Sequence, residues 1–182
     1  MRAGEFAVAA LCAMLLAGGA AVSAHRYDEY LQASRIAITP AGVRLEVSLT
    51  PGIAVADDVI REMDTNRDAV LSDAERTAYA QQLMQGLSLR FDDALVPLAL
   101  VGATFPPPNT IRGGDAAITM IVAARLARPA AGAHRLAFRN ANTAHGAVYL
   151  ANALMPDDAR LAITGMTHAL DQSGLTVAYT VR

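Results

Sequence analysis

Beyond residue 24, apolar and polar side chains alternate with a period of two over most of the chain. Val43, Leu45, Val47 and Leu49 alternate with Arg44, Glu46, Ser48 and Thr50, the pattern of a strand with one face in a core and the other in water. Ile36 and Ile38 precede it across Pro40-Ala41-Gly42, a turn signal. Leu87, Leu89 and Phe91 repeat the pattern, and Asp92-Asp93 turns the chain into a further strand over Leu95–Leu100. Strands are predicted again at Ala117–Ala124, Arg135–Arg139, Val148–Leu150 and Arg160–Ile163, and at the C-terminal series Leu175, Val177, Tyr179 and Val181. Roughly eight or nine short strands separated by turn residues point to an antiparallel β-sandwich.

Residues 54–86 break this rhythm. Val59, Ile60 and Met63 fall at helical spacing, a polar stretch follows, and Ala74, Ala78, Tyr79 and Leu83 mark a second helix with Gly86 as its stop. The expectation is a mainly β (α+β) chain, one β-rich domain over residues 25–182 with a helix–loop–helix insertion at 54–86. Pro106-Pro107-Pro108 through Gly113-Gly114 reads as an irregular connection that no regular element would accept, rather than as a hinge or a binding loop.

The polar stretch between the two helices carries the chemistry. In Asp64-Thr65-Asn66-Arg67-Asp68-Ala69-Val70-Leu71-Ser72-Asp73-Ala74-Glu75, oxygen-bearing side chains stand at the first, third, fifth, ninth and twelfth positions. A hard cation such as calcium takes about six to eight oxygen ligands, and alternate residues of a tight loop can turn their oxygens to one centre. The twelfth residue, on the first turn of the next helix, can close the shell with both carboxylate oxygens. Ser72 and Glu75 also have the S-x-x-E spacing of a capping box.

This stretch resembles the EF-hand family, over the loop and its two flanking helices. The resemblance implies a calcium site. Asp64, Asn66 and Asp68 would give side-chain oxygens, Val70 its carbonyl, Ser72 a ligand direct or through water, and Glu75 the bidentate closing ligand. Leu71 takes the apolar position that anchors such loops. One position departs from the family: the sixth is Ala69 where the family has glycine. A left-handed backbone costs a non-glycine residue about 1–2 kcal/mol, which is roughly ten-fold in affinity. With Arg67 inside the loop and three carboxylates in the set, weak calcium binding is expected, about 10⁻⁴–10⁻³ M. No second loop accompanies it; Asn140 and Asn142 begin a similar spacing, but Ala144 and Ala151 fill positions that need oxygen. A lone loop whose helices pack on a sheet implies a structural ion rather than a sensor. Asp57, Asp58 and Glu62 read as a solvated helix face.

Composition narrows the function classes. The 53% apolar content excludes a disordered chain. A net charge of −2, with arginine supplying every basic residue, and only four Phe, five Tyr and no Trp argue against a nucleic-acid partner. Residues 1–24 read as a signal peptide, with Arg2 before the apolar run Phe6–Ala17, too short for a membrane span, and Val22-Ser23-Ala24 before a cleavage after Ala24. Cleavage would remove Cys12, the only cysteine, and exclude disulfides, zinc–thiolate sites and cysteine catalysis. The expected compartment is the periplasm or the exterior, with no membrane span in the mature chain.

Cleavage would also make His25 the first residue, and an N-terminal histidine resembles the histidine brace of copper-binding periplasmic sandwiches. A copper-binding or metal-delivery module using His25 is therefore the first alternative. His134, His145 and His168 show no ligand spacing and read as ordinary histidines. There is no G-x-S-x-G elbow, phosphate-binding glycine loop or dinucleotide fingerprint. Asp92-Asp93 and Asp157-Asp158 sit beside turn signals and read as turn residues rather than catalytic pairs. The chain is read as non-enzymatic, with an unknown protein or ligand partner; a hydrolase with a site scattered along the sequence is the second alternative. As a whole, the chain is similar to exported bacterial EF-hand domain-containing proteins. His25–Tyr30 and the strand, EF-hand, strand order also resemble extracytoplasmic segments preceding bacterial metal-transporter domains.

Overall fold

In a computed structural model that describes residues 27–114, 116–127 and 129–182, the period-two stretches pair into two sheets. The expected leader, residues 1–24, and His25 lie outside the described residues. In chain order the described elements are β1 (Tyr30–Thr39), β2 (Gly42–Pro51), α1 (Ile53–Met63), α2 (Asp73–Gln85), β3 (Leu87–Phe91), β4 (Ala94–Leu95) and β5 (Ala99–Thr104). They continue with α3 (Pro108–Ile111), β6 (Ile118–Arg125), β7 (Gly132–Asn140), β8 (Ala147–Ala153), β9 (Leu161–His168) and β10 (Gly174–Val181).

One sheet has the order β5-β6-β2-β1-β8 and the other β4-β3-β7-β10-β9. The β1–β2 hairpin pairs Ile36 with Leu45 and Ile38 with Val43, so one row of apolar side chains from both strands enters the core. Met120 and Val122 of β6 continue that row, and Leu89, Leu136, Phe138, Leu175 and Val177 face it from the second sheet in one apolar cluster. The fold is a β-sandwich-like α+β arrangement, as the alternation predicts. No described helix is long and apolar enough to cross a membrane.

The sheets are antiparallel apart from one pair: β1 and β8 run parallel, Leu31 opposite Val148. A parallel pair needs a crossover connection, and here residues 40–146 separate the two strands. The strand expected at Leu95–Leu100 is two strands, because Pro97 lacks an N–H for the ladder and interrupts it between β4 and β5. The Pro106–Gly114 segment is not irregular throughout; Pro108 occupies the first turn of α3, where its missing N–H costs nothing. Ile111 of that turn is fully buried.

The two longer helices fill one side of the sandwich. α1 buries Ala56, Val59, Ile60 and Met63, and α2 buries Tyr79, Ala80 and Leu83. Their docking is pinned by polar contacts. The Tyr30 and Tyr79 hydroxyls meet at 3.0 Å inside the protein, and burial pushes the Tyr79 phenol up to about 12. His145, in the loop before β8, lies 2.6 Å from the Glu62 carboxylate on α1. Under the end of α2, Asn140 donates to Gln32, and the Asn142 amide donates to the carbonyl of Leu83 and to Asn140 Oδ1.

At the opposite end, His134 of β7 is stacked on Phe91, with centroids 5.2 Å apart. Its Nδ1 lies 2.7 Å from Asp92 Oδ2 and its Nε2 lies 2.8 Å from the Ala130 carbonyl. A neutral imidazole has one N–H, so only the doubly protonated ring donates to both acceptors. The Ala130 carbonyl, followed by the Asp92 carboxylate, raises the His134 pKa above its ordinary 6.5. A raised value stabilises the fold fully below pH 6.5 and loses that contribution as pH climbs through the folded value. Melting temperature should therefore fall as pH rises above 6.5, and His134→Phe should flatten that fall while keeping the stacking on Phe91. Equal slopes in thermal melts of the two proteins would contradict the assignment.

Candidate functional site

The loop joining α1 to α2 is organised by its own backbone donors. Asp64 ends α1, with its N–H donating to the Ile60 carbonyl at 2.8 Å. Its carboxylate then collects the next turn, Oδ1 accepting from the Asp68 amide at 3.2 Å and Oδ2 from the Ala69 amide at 2.9 Å. Asn66 Oδ1 also accepts from the Asp68 amide, and Asp68 Oδ1 accepts from the Val70 amide at 2.8 Å. Short polar side chains bonding backbone two residues on are what turns a chain tightly without a sheet or helix. Arg67 and Ala69 both take left-handed backbone, at φ 61° and 64°. The position where the EF-hand family has glycine thus has the backbone that favours glycine, and here an alanine supports it.

Leu71 is 3% exposed and fastens the loop to the core, whereas Val70 stands out in water. Ser72 then caps α2. Its Oγ accepts from the Glu75 amide at 3.3 Å, and the Ser72 amide and hydroxyl donate to Glu75 Oε2 at 2.9 and 2.7 Å, completing the capping box. The other oxygen of Glu75 reaches back across the loop. Oε1 accepts from the Thr65 amide at 2.9 Å, the Thr65 hydroxyl at 3.1 Å and the Asn66 amide at 3.3 Å. Glu75 is 8% exposed, and the Ser72 hydroxyl and amide, with the Asn66 and Thr65 donors, lower its pKa from the ordinary 4.5 to about 2 against the opposing effect of burial.

Asp64, Asn66, Asp68, Ser72 and Glu75 are therefore brought into one loop, with the Val70 carbonyl on the same strand of chain. Among the described residues no group of three or more His, Cys, Asp or Glu side chains is gathered into a metal-holding arrangement. The donor set nevertheless fits a hard cation, because every member is an oxygen and three are carboxylates. Residues Asp64, Asn66, Asp68, Val70, Ser72 and Glu75 would hold the ion, and Glu75 would turn from its amide and hydroxyl donors toward it. Thr65, which the ligand pattern passes over, holds Glu75 across the loop; its hydroxyl beside an acidic twelfth position is the signal in the sequence.

No family model, curated protein or solved structure matches this chain. The alternative copper ligand, His25, falls outside the described residues. His134 and His145 are engaged with carboxylates at opposite ends of the sandwich and share no site. Asp92 and Asp93 form the β3–β4 turn in left-handed backbone, at φ 44° and 69°. Asp158 is bound by Arg160, two residues on in the same surface turn. Of the acidic residues ahead of the loop, Asp58 and Asp57 are exposed and pair with Arg61 and Arg112, whereas Glu62, expected on the same solvated face, is partly buried against His145.

Proposed function

We propose that this chain is an exported calcium-binding protein of the EF-hand type, in which residues 64–75 hold one calcium ion that stiffens the junction between α1, α2 and the sandwich. The observation that carries the proposal is Glu75. Its carboxylate is drawn ten residues back over the loop and covers the Thr65 and Asn66 amides. A cation at the loop's centre would meet a closing carboxylate that needs to rotate rather than travel. The same bonds weaken the affinity, because part of that hydrogen bonding must be given up when the ion arrives. The role is structural and non-enzymatic: Leu71 and the inner faces of both helices are buried in the sandwich core, so the loop is braced rather than free to open.

Ala69→Gly tests the proposal in the direction of gain. Relief of the left-handed alanine should tighten calcium binding by up to about ten-fold. Simple damage to the fold would not strengthen binding. Calorimetric titration of the variant beside the native protein is the measurement, and an unchanged or weaker affinity would contradict the proposal.

A further inference from the structure

Two features lie outside the calcium reading: Arg67, a cation inside a cation-binding loop, and the proline- and glycine-rich segment around α3. Both border one cleft of about 380 Å³, walled by Asp57, Arg61, Asp64, Arg67 and Arg112. α3 is a fixed arm. Ile111 is fully buried, and Gly114, at φ 77°, lies so near α1 that a Cβ there would stand 2.9 Å from Ile53 Cγ1. The arm delivers Arg112 to α1, where its Nε donates to Asp57 Oδ1 at 2.7 Å. Arg61 donates to Asp58 Oδ1 at 2.6 Å. Arg67 has no ion-pair partner among the described residues.

We propose that this cleft binds a small dianionic oxyanion of the phosphomonoester class, and that the charge on Asp64 sets its affinity. Three arginine residues line the cleft, from a helix, a loop and a capped turn. That suits a tetrahedral group with three terminal oxygens better than a planar carboxylate with two. The Arg61 and Arg112 side chains are 60% and 50% exposed, and ion pairs so exposed hold little free energy, so a phosphate can draw their unused N–H groups inward. The cleft has the volume of a small-molecule site. Asp64 belongs both to this wall and to the loop, and its charge opposes an anion in the cleft. Neutralising Asp64 therefore strengthens anion binding. Calcium in the loop would act this way, and the anion would strengthen calcium binding by the same factor; only this last step rests on the calcium reading.

The test is a titration with phenyl phosphate, followed by nuclear magnetic resonance of the arginine Nε–H signals, with benzoate as the carboxylate comparison. Saturable shifts of Arg61, Arg67 and Arg112 are expected, with benzoate weaker. Arg67→Ala, a change at an exposed residue, should weaken phenyl phosphate by about ten-fold. Asp64→Asn, which keeps one of the two oxygens that accept from the Asp68 and Ala69 amides, should strengthen it by about five-fold without any calcium, with a melting temperature recorded beside it to show that the loop stays folded. Calcium should strengthen it in the native protein and not in Asp64→Asn. A native protein that ignores calcium, beside an Asp64→Asn variant that still binds phenyl phosphate more tightly, would sink the loop reading and leave the cleft assignment standing. Arginine signals that do not move, equal affinity for benzoate, or indifference to Asp64→Asn would overturn the assignment.

Discussion

Glu75→Gln should abolish measurable calcium binding and loosen the loop even in chelator. Glutamine keeps the length of the side chain and one carbonyl oxygen. Its amide end, however, must face either the Ser72 backbone amide or the Thr65 and Asn66 backbone amides, which can only donate. One of the two sets is left without its acceptor. The closing ligand also loses its charge, and an affinity of about 10⁻⁴–10⁻³ M weakened by about two orders of magnitude lies beyond titration. The same carboxylate makes the native protein acid-sensitive. A lowered pKa stabilises the fold above the ordinary 4.5 and loses that contribution as pH falls toward about 2, a dependence Glu75→Gln should lack. Calorimetry with thermal melts across that range checks both parts. A variant that binds calcium as the native protein does would remove Glu75 from the ligand set.

Gly86→Ala should destabilise the protein by about 2–4 kcal/mol, because overpacking and the loss of partly buried hydrogen bonds act together. Gly86 ends α2 in ordinary right-handed backbone, at φ −81°, so conformational freedom is not what its position requires. Space is. A Cβ would lie 2.2 Å from Asn142 Oδ1. Asn142 cannot swing aside freely, since its amide donates to the Leu83 carbonyl and to Asn140 Oδ1. Denaturant unfolding of Gly86→Ala, Asn142→Ala and the double variant checks this. The double variant should lose less than the sum of the singles, whereas simple additivity would show that the two residues do not collide.

Gly86 marks where the sequence could be read and where it could not. That a helix stops there is legible from periodicity and a glycine; the reason is not, because Asn142 is brought to it by the end of β7, far along the chain. Local rules fared well: the alternation of Val43 to Leu49, the Ser72–Glu75 capping box, the left-handed position at Ala69 and the Asp92-Asp93 turn all depend on neighbours within a few residues. The parallel partnership of β1 with β8 depends on the whole fold and has no local signature. The twin acceptors of His134 and the arginine cleft were invisible for the same reason, being assembled from β3, β7 and their loops in one case and from α1, the loop and α3 in the other. Pro97 is itself legible, since a proline inside an expected strand argues for a break there.

Titration of calcium into the native protein, paired with melts in calcium and in chelator, asks most directly whether residues 64–75 hold the ion. One ion per chain with a dissociation constant of about 10⁻⁴–10⁻³ M is the expected result. At ten times that constant, mass action should raise the melting temperature by about 3–6 °C. No heat of binding up to several times about 10⁻³ M, with identical melts in calcium and chelator, would contradict the claim and leave Glu75 as a clasp for its own loop.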